Sequence, residues 1–445
     1  MRMEPVVPLD YHVSPGGRLQ GRFRVPGDKS VSHRALMLGA IAEGTTRIHG
    51  FLESADTRAT AAAFRALGVN CETPAPAEVV IRGVGRHGLK APAGPLDLGN
   101  SGTTARLLAG ILAGQAFDSV LVGDASLMQR PMRRIAEPLR LMNADILCGD
   151  RGTLPLTIRG GRTLRAITYT LPVASAQIKS CLLLAGLYAE GETCLHEPAV
   201  SRDHTERMLG EFGYGVRKSD TTVCVRGGGR LKAAEITVPG DFSSAAFFMV
   251  GASIAPGSDI TLEQVGVNPT RAAAIDLLKA MGADITLIEQ RVVSGEPSAA
   301  IRVRSARLRG IEIPVASVPA AIDEFPALMI AAAAAEGRTV LRGAAELRVK
   351  ESDRIAAIAA GLKAVGISVT EHEDGLVVEG GRIRGGQVDS RGDHRIAMAF
   401  AMAGLTSEAP VRISDCTNVD TSFPGFVELA RQAGLAITAE VQTVA

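Results

Sequence analysis

The sequence predicts a mixed α/β protein of two domains, each assembled from three repeated units. Three observations predict it. Nearly the same hexapeptide opens a helix in each half: Val-Pro-Gly-Asp-Lys-Ser at 25–30 and Val-Pro-Gly-Asp-Phe-Ser at 238–243. A chain of 445 residues exceeds a single core and suits two domains of roughly 200 residues each. Within each half, a helix-then-strand pattern recurs three times at intervals of roughly 70 to 85 residues, the mark of a repeat architecture. What the two hexapeptides share is assigned to the fold, and what differs to chemistry. Asp28 and Asp241 are therefore expected to be structural, and Lys29, replaced by Phe242 in the sister copy, to be functional.

Taken in order, each unit opens with a helix rich in small and apolar residues that follows a capping residue and ends near a Gly. These helices are expected over 30–42, 101–113, 175–190, 242–256, 320–336 and 393–409. Stretches such as Ala35-Leu-Met-Leu-Gly-Ala-Ile-Ala and Leu328-Met-Ile-Ala-Ala-Ala-Ala-Ala are apolar nearly all round, so these helices belong inside the domains. A second, amphipathic helix closes each unit at Gly68, Gly213, Gly282, Gly366 and Gly434, with Asn143 in that place in the second unit, the next-best residue for a left-handed cap. Short strands such as 79–82, 301–304 and 375–379 alternate or run apolar, as sheet segments packed on helices do. Boundaries fall at the two Pro-Gly-Asp turns, giving domains 25–239 and 240–445 and hinges near 22–27 and 236–241.

Composition bounds the function. Apolar residues make up 46% of the chain and charged residues 21%, a soluble globular balance. A formal net charge of +1 argues against nucleic acid or membrane as a partner recruited by bulk charge. No apolar run is long enough to span a bilayer, and residues 1–5 lack a signal-peptide character, so a cytoplasmic location is expected. The six cysteines show no Cys-x-x-Cys pairing and are expected to be reduced and buried.

The amino ends of the first helices carry cations, and a helix amino end itself attracts anions. Lys29 and Arg34 flank Ser30; Ser101, Gly102 and Arg106 mark the second helix; Ser175, Ala176, Gln177 and Lys179 the third; His394 and Arg395 the sixth. Arg58, Arg130, Arg202, Arg271 and Arg354 recur near the starts of the second helices. Arg58 and Arg271 read as devices that hold a turn; Arg130, Arg202 and Arg354 read as anion contacts. Ser30, Ser101 and Ser175 are open to two readings, plain helix caps or ligand contacts. Asp323 and Glu351 are likewise either first-turn acids or the proton-handling pair of an enzyme.

Seven motifs occur in one order: Pro26-Gly-Asp-Lys-Ser-Val-Ser-His-Arg, Leu98-Gly-Asn-Ser-Gly-Thr, Gln129-Arg-Pro-Met, Ala174-Ser-Ala-Gln, Ser201-Arg-Asp-His-Thr-Glu, Arg348-Val-Lys-Glu-Ser-Asp-Arg and Asp393-His-Arg-Ile-Ala-Met. Together the chain resembles the 3-phosphoshikimate 1-carboxyvinyltransferase (EPSP synthase) family over almost its whole length after about residue 15. The resemblance implies a two-domain inside-out α/β barrel of six βαβαββ-type units, with residues 1–24 joining the C-terminal half. It implies transfer of the enolpyruvyl group of phosphoenolpyruvate to shikimate 3-phosphate in the shikimate pathway, by a monomer, with no cofactor and no metal. Shikimate 3-phosphate would then be held by Lys29, Ser30, Arg34, Ser175, Ala176, Gln177, Arg202, Asp323 and Lys350, and phosphoenolpyruvate by Lys29, Gly102, Arg130, Gln177, Arg354 and Arg395.

Charge agrees with that assignment: the substrates bring roughly −5 to −6, counting each phosphate at about −1.5 to −2, against seven cations and the acids Asp323 and Glu351. Glu351 is expected to exchange the proton at C3 of phosphoenolpyruvate, and Asp323, aided by Lys29, to take the hydroxyl proton. Two departures stand out. Asp420 occupies a place where many relatives have Lys, and Gly102 stands where the glyphosate-tolerant branch has Ala, so glyphosate is expected to inhibit in competition with phosphoenolpyruvate. The rivals are the sister transferase acting on UDP-N-acetylglucosamine, whose Cys-bearing loop and early Lys-Asn pair are not evident, and a non-catalytic sugar-phosphate receptor, for which paired acids have no use.

Overall fold

The computed structural model describes residues 9–441. The chain divides into two units. The N-unit comprises Gly27–Pro239 and Val292–Glu296; the C-unit comprises 9–26, Gly240–Arg291 and 297–441. In both copies of the hexapeptide the division falls between the Pro and the Gly.

Each unit contains three small sheets built to one plan, seen in the third repeat. Thr168–Thr170 runs parallel to Glu192–His196, Thr222–Arg226 runs antiparallel to that strand, and Val216–Ser219 antiparallel to Thr222–Arg226. An inner helix, Ala176–Gly186, and an outer helix, His204–Glu211, complete a βαβαββ order along the chain. Several repeats borrow strands from elsewhere in the sequence. Glu235–Thr237, reached after the third repeat, lies parallel to Glu43–His49 of the first, with Ile236 opposite Ile48. Gln20–Phe23 lies parallel to Asp259–Gly266, and Leu9–Gly17 lies antiparallel to both Val411–Ser414 and Leu435–Val441. In the fifth repeat the first strand is reduced to two isolated parallel bridges, Arg309 with Glu336 and Glu312 with Val340.

The six inner helices are Lys29–Ile41, Gly102–Leu112, Ala176–Gly186, Phe242–Ile254, Phe325–Ala334 and His394–Ala403. They are buried as their composition requires; every residue of Phe242–Ile254 is buried. Burying a Phe or Leu side chain contributes about 1.5–3 kcal/mol, so helices apolar on all faces are held chiefly by packing. The outer helices end at Gly68, Asn143, Gly213, Gly282, Gly366 and Gly434, all with positive φ. Asn143 at φ 70° takes the left-handed cap expected of it.

Three expectations need correction. The helix expected over 320–336 is two, Val318–Ala321 and Phe325–Ala334. Pro326, in the first turn of the second, has no N–H to donate to the carbonyl four residues back, so the two do not run on as one helix, and the Asp323 carbonyl is left for a side chain. The first inner helix is capped by Asp28, not Ser30: Asp28 Oδ1 accepts the Val31 N–H at 2.9 Å, and Asp241 Oδ1 accepts that of Ser244 at 2.8 Å in the sister copy. The cysteines are not all reduced. Cys194 and Cys224 stand opposite each other in the antiparallel pair and form a disulfide, while Cys71, Cys148, Cys181 and Cys416 are free. Their separation of 30 residues is no local motif; only strand register brings them together. Glu192 lies beside the same sulfurs, the one group of potential metal-binding side chains among the described residues.

Candidate active site

In the N-unit, the amino ends of three inner helices carry the predicted residues. Lys29 opens the first helix, and its Nζ lies 3.0 Å from Asp56 Oδ2, on the first turn of the outer helix Ala55–Ala66. Asp56 is a site neighbour that sequence reasoning missed: nothing local connects it to Lys29. Ser30 lies in the first turn, where its carbonyl accepts from Arg34 Nη1 at 3.0 Å. Arg34 is buried and donates also to Thr205 Oγ1 at 2.7 Å and Ser180 Oγ at 2.8 Å. Burial pushes its guanidinium down to about 10, against the opposing pull of Glu206 and Asp28.

Ser101 and Ser175 cap the second and third inner helices through the N–H groups of Thr104 and Ile178. The two helices are tied side by side near these ends. Arg106 Nη1 donates to Gln177 Oε1 at 2.5 Å, and Gln177 Nε2 donates to Thr103 Oγ1 at 3.2 Å. One turn further, Gly110 permits their contact, because a Cβ there would stand 2.2 Å from the Cys181 carbonyl oxygen. Gly102 has a different reason to be Gly. Its backbone is ordinary helix, but an added Cβ would lie 3.1 Å from Arg130 Nη1 and 3.2 Å from Arg106 Nη1. Arg130 is aimed by Asn100, whose Oδ1 accepts from Nη2 at 2.5 Å, and by Ser126 Oγ at 3.3 Å. Arg202 sits half-buried just before the outer helix His204–Glu211, with Ala176 half-buried at the start of its inner helix.

The C-unit brings together Asp323, Glu351, Arg354 and Arg395, with Lys350 next in sequence to Glu351. Arg354 is the hub, 1% exposed along its side chain. Nε lies 2.8 Å from Asp393 Oδ2, Nη1 3.3 Å from Asp323 Oδ1 and Nη2 2.5 Å from Glu351 Oε2. Burial opposes its charge, but Asp393, Glu351 and Asp323 outweigh that and hold its pKa above the ordinary value. Arg395 Nη1 donates to the Asp323 carbonyl at 3.0 Å, the group freed by the helix break, and lies 3.9 Å from buried Glu324 Oε1. Two guanidiniums, Arg354 and Arg395, thus lie among four carboxylates, Asp323, Glu324, Glu351 and Asp393. Sequence reasoning counted only two; it missed Asp393, the cap of the sixth helix, and Glu324, which accepts from Ser243 Oγ. Arg271, by contrast, is the turn-holding residue expected, donating to Asp241 Oδ2 and Ser243 Oγ. Asp420 is exposed in the single turn Thr417–Thr421.

Such sites have the components of an enzyme for small polyanions: guanidiniums aimed from helix amino ends, and carboxylates able to take up and give back protons. No helix among the described residues is long and apolar enough to cross a membrane. Comparison with known proteins supplies the particular family: the chain belongs to the EPSP synthase (3-phosphoshikimate 1-carboxyvinyltransferase) family, whose sequence model matches residues 13–429. It is 62% identical to the 3-phosphoshikimate 1-carboxyvinyltransferase of Alkalilimnicola ehrlichii over 97% of each chain. It is 61% identical to that of Methylococcus capsulatus over 96% of this chain and 98% of the relative. The solved EPSP synthase of Acinetobacter baumannii, 56% identical, superposes with a TM-score of 0.88 over 97% of this chain and all of that one.

Proposed function

We propose that the protein transfers the enolpyruvyl group of phosphoenolpyruvate to the 5-hydroxyl of shikimate 3-phosphate. The products are 5-enolpyruvylshikimate 3-phosphate and inorganic phosphate, on the route to chorismate and the aromatic amino acids. The observation that carries this reading is the 62% identity to a named 3-phosphoshikimate 1-carboxyvinyltransferase, sustained over 431 residues. The sister transferase acting on UDP-N-acetylglucosamine is not favoured.

The chemistry needs a proton at C3 of phosphoenolpyruvate as the hydroxyl oxygen attacks C2, then loss of a C3 proton as phosphate departs. Glu351 exchanges the C3 proton and Asp323 accepts the hydroxyl proton. Their shared partner Arg354 binds phosphoenolpyruvate with Lys29, Gly102, Arg130, Gln177 and Arg395. Lys29, Ser30, Arg34, Ser175, Ala176, Gln177, Arg202, Asp323 and Lys350 bind shikimate 3-phosphate. Arg354 is matched by three carboxylates, so an anion bound to it competes with them, and protonation of Glu351 on the way to C3 relieves that competition. The protein acts as a monomer in the cytoplasm, and glyphosate competes with phosphoenolpyruvate.

Phosphate release from the two substrates tests the reading, with UDP-N-acetylglucosamine as the control acceptor. Asp323→Asn and Glu351→Gln should each lower kcat by about 10²–10⁴-fold. Rates within about tenfold of the parent for both variants would remove the acid–base roles.

A further inference from the structure

We infer that Lys179 and Glu197 are positioning residues that aim Arg202 at shikimate 3-phosphate. The inference rests on the reading of Arg202 as a contact for that substrate. Lys179 lies on the third inner helix, three residues beyond Ala176, with its side chain 1% exposed. Its Nζ reaches Glu197 Oε2 at 2.8 Å, Glu206 Oε1 at 2.8 Å and the Ser201 carbonyl at 3.2 Å. Glu197, 5% exposed along its side chain, turns its other oxygen to the same residue: Oε1 accepts the Ser201 N–H at 3.2 Å and also the Ser201 hydroxyl.

One buried ion pair therefore engages the N–H, the carbonyl and the side chain of the residue immediately before Arg202. A backbone fixed at all three groups leaves Arg202 little freedom except in its own side chain. The same Lys179 belongs to the helix whose first turn carries Ala176 and Gln177, while Glu206 lies on the outer helix that follows Arg202. The ammonium thus registers two substrate-binding segments of the N-unit against each other. A buried ion pair is weak grounds for a stabilising role, since apolar residues of similar volume often do as well. Its satisfaction of one loop residue is what points to placement of the neighbour, and misplacement of a binding group by about 1 Å can cost up to about 10²-fold.

The test is calorimetric titration of the full-length protein with shikimate 3-phosphate, with steady-state kinetics alongside. Lys179→Met and Glu197→Gln should raise the Kd and KM for shikimate 3-phosphate by about tenfold or more, with kcat and the KM for phosphoenolpyruvate within about threefold of the parent. Where either variant fails to fold, Ser201→Ala, which removes only the hydroxyl contact, should raise that Kd by about threefold. The deciding arm adds Lys179→Met to Arg202→Ala: if Lys179 acts through Arg202, the double variant binds no more weakly than Arg202→Ala alone. Additive losses, or an unchanged Kd in all the folded single variants at 179, 197 and 201, overturn the inference. An unchanged Kd in Arg202→Ala itself instead overturns the substrate contact assigned to Arg202, and the inference with it.

Discussion

Gly102→Ala offers a perturbation whose size follows from two distances. The new methyl would lie 3.1 Å from Arg130 Nη1 and 3.2 Å from Arg106 Nη1. Comfortable contact begins near about 3.5 Å, so each guanidinium must withdraw by about 0.3–0.4 Å. Arg130 cannot do so freely, because Asn100 and Ser126 hold its other nitrogen. A hydrogen bond to a charged group contributes about 1.5–3 kcal/mol, and losing about a third of one costs ~0.5–1 kcal/mol, a two- to fivefold rise in the KM for phosphoenolpyruvate. On the proposed reading glyphosate, longer than phosphoenolpyruvate, would meet the methyl itself, and its inhibition constant should rise by about tenfold or more. Initial rates of phosphate release, measured with both ligands varied at saturating shikimate 3-phosphate, separate the two effects. Equal glyphosate potency against parent and variant, or a KM that rises as far as the inhibition constant, would refute the reasoning.

Three further outcomes are expected. His33 is buried, and desolvation together with Lys29 and Arg34 holds its pKa well below 6.5; the unfolded chain binds a proton there that the folded chain does not. Its contribution is therefore complete above about pH 6.5 and lost as pH falls, at up to ~1.4 kcal/mol per unit, so denaturation midpoints of His33→Gln should depend less steeply on pH between 5 and 6.5, and identical slopes would contradict this. Gly110→Ala drives a methyl toward the Cys181 carbonyl, and chemical denaturation should show a loss of about 1–3 kcal/mol; unchanged stability would mean the two helices are not in contact there. Thiol titration of the denatured, unreduced protein should find four reactive groups, rising to six with reductant, and the 30-residue separation predicts that reduction costs ~3–4 kcal/mol of stability.

The sequence was legible where a local rule applied. The doubled Val-Pro-Gly-Asp exposed the repeat, and Asp28 and Asp241 are the caps that identical placement required. Asn143 closes its helix as a left-handed cap because few other residues tolerate that conformation. The α/β class followed from the alternation of buried helices with short strands. Partners brought together only by tertiary structure stayed hidden. Asp56 meets Lys29 across 27 residues and Asp393 meets Arg354 across 39, and in neither case does spacing announce the pair. The break at 322–324 was obscured because Asp323 and Glu324 suit the first turn of a helix as well as they suit a break, while Pro326 acts through its missing N–H and leaves no mark on hydropathy.

Val292–Glu296 belong to the N-unit although the sequence around them belongs to the C-unit. The tip is well anchored: Glu296 Oε1 lies 2.7 Å from His204 Nδ1, the Gly295 carbonyl accepts from Arg207, and Ser294 Oγ accepts the Thr237 N–H. No single cut in the gene can therefore deliver the N-unit intact. A fragment ending at Pro239 leaves the buried imidazole of His204 without its carboxylate and a strand end without its hydroxyl, so the excised half forfeits part of its own interior.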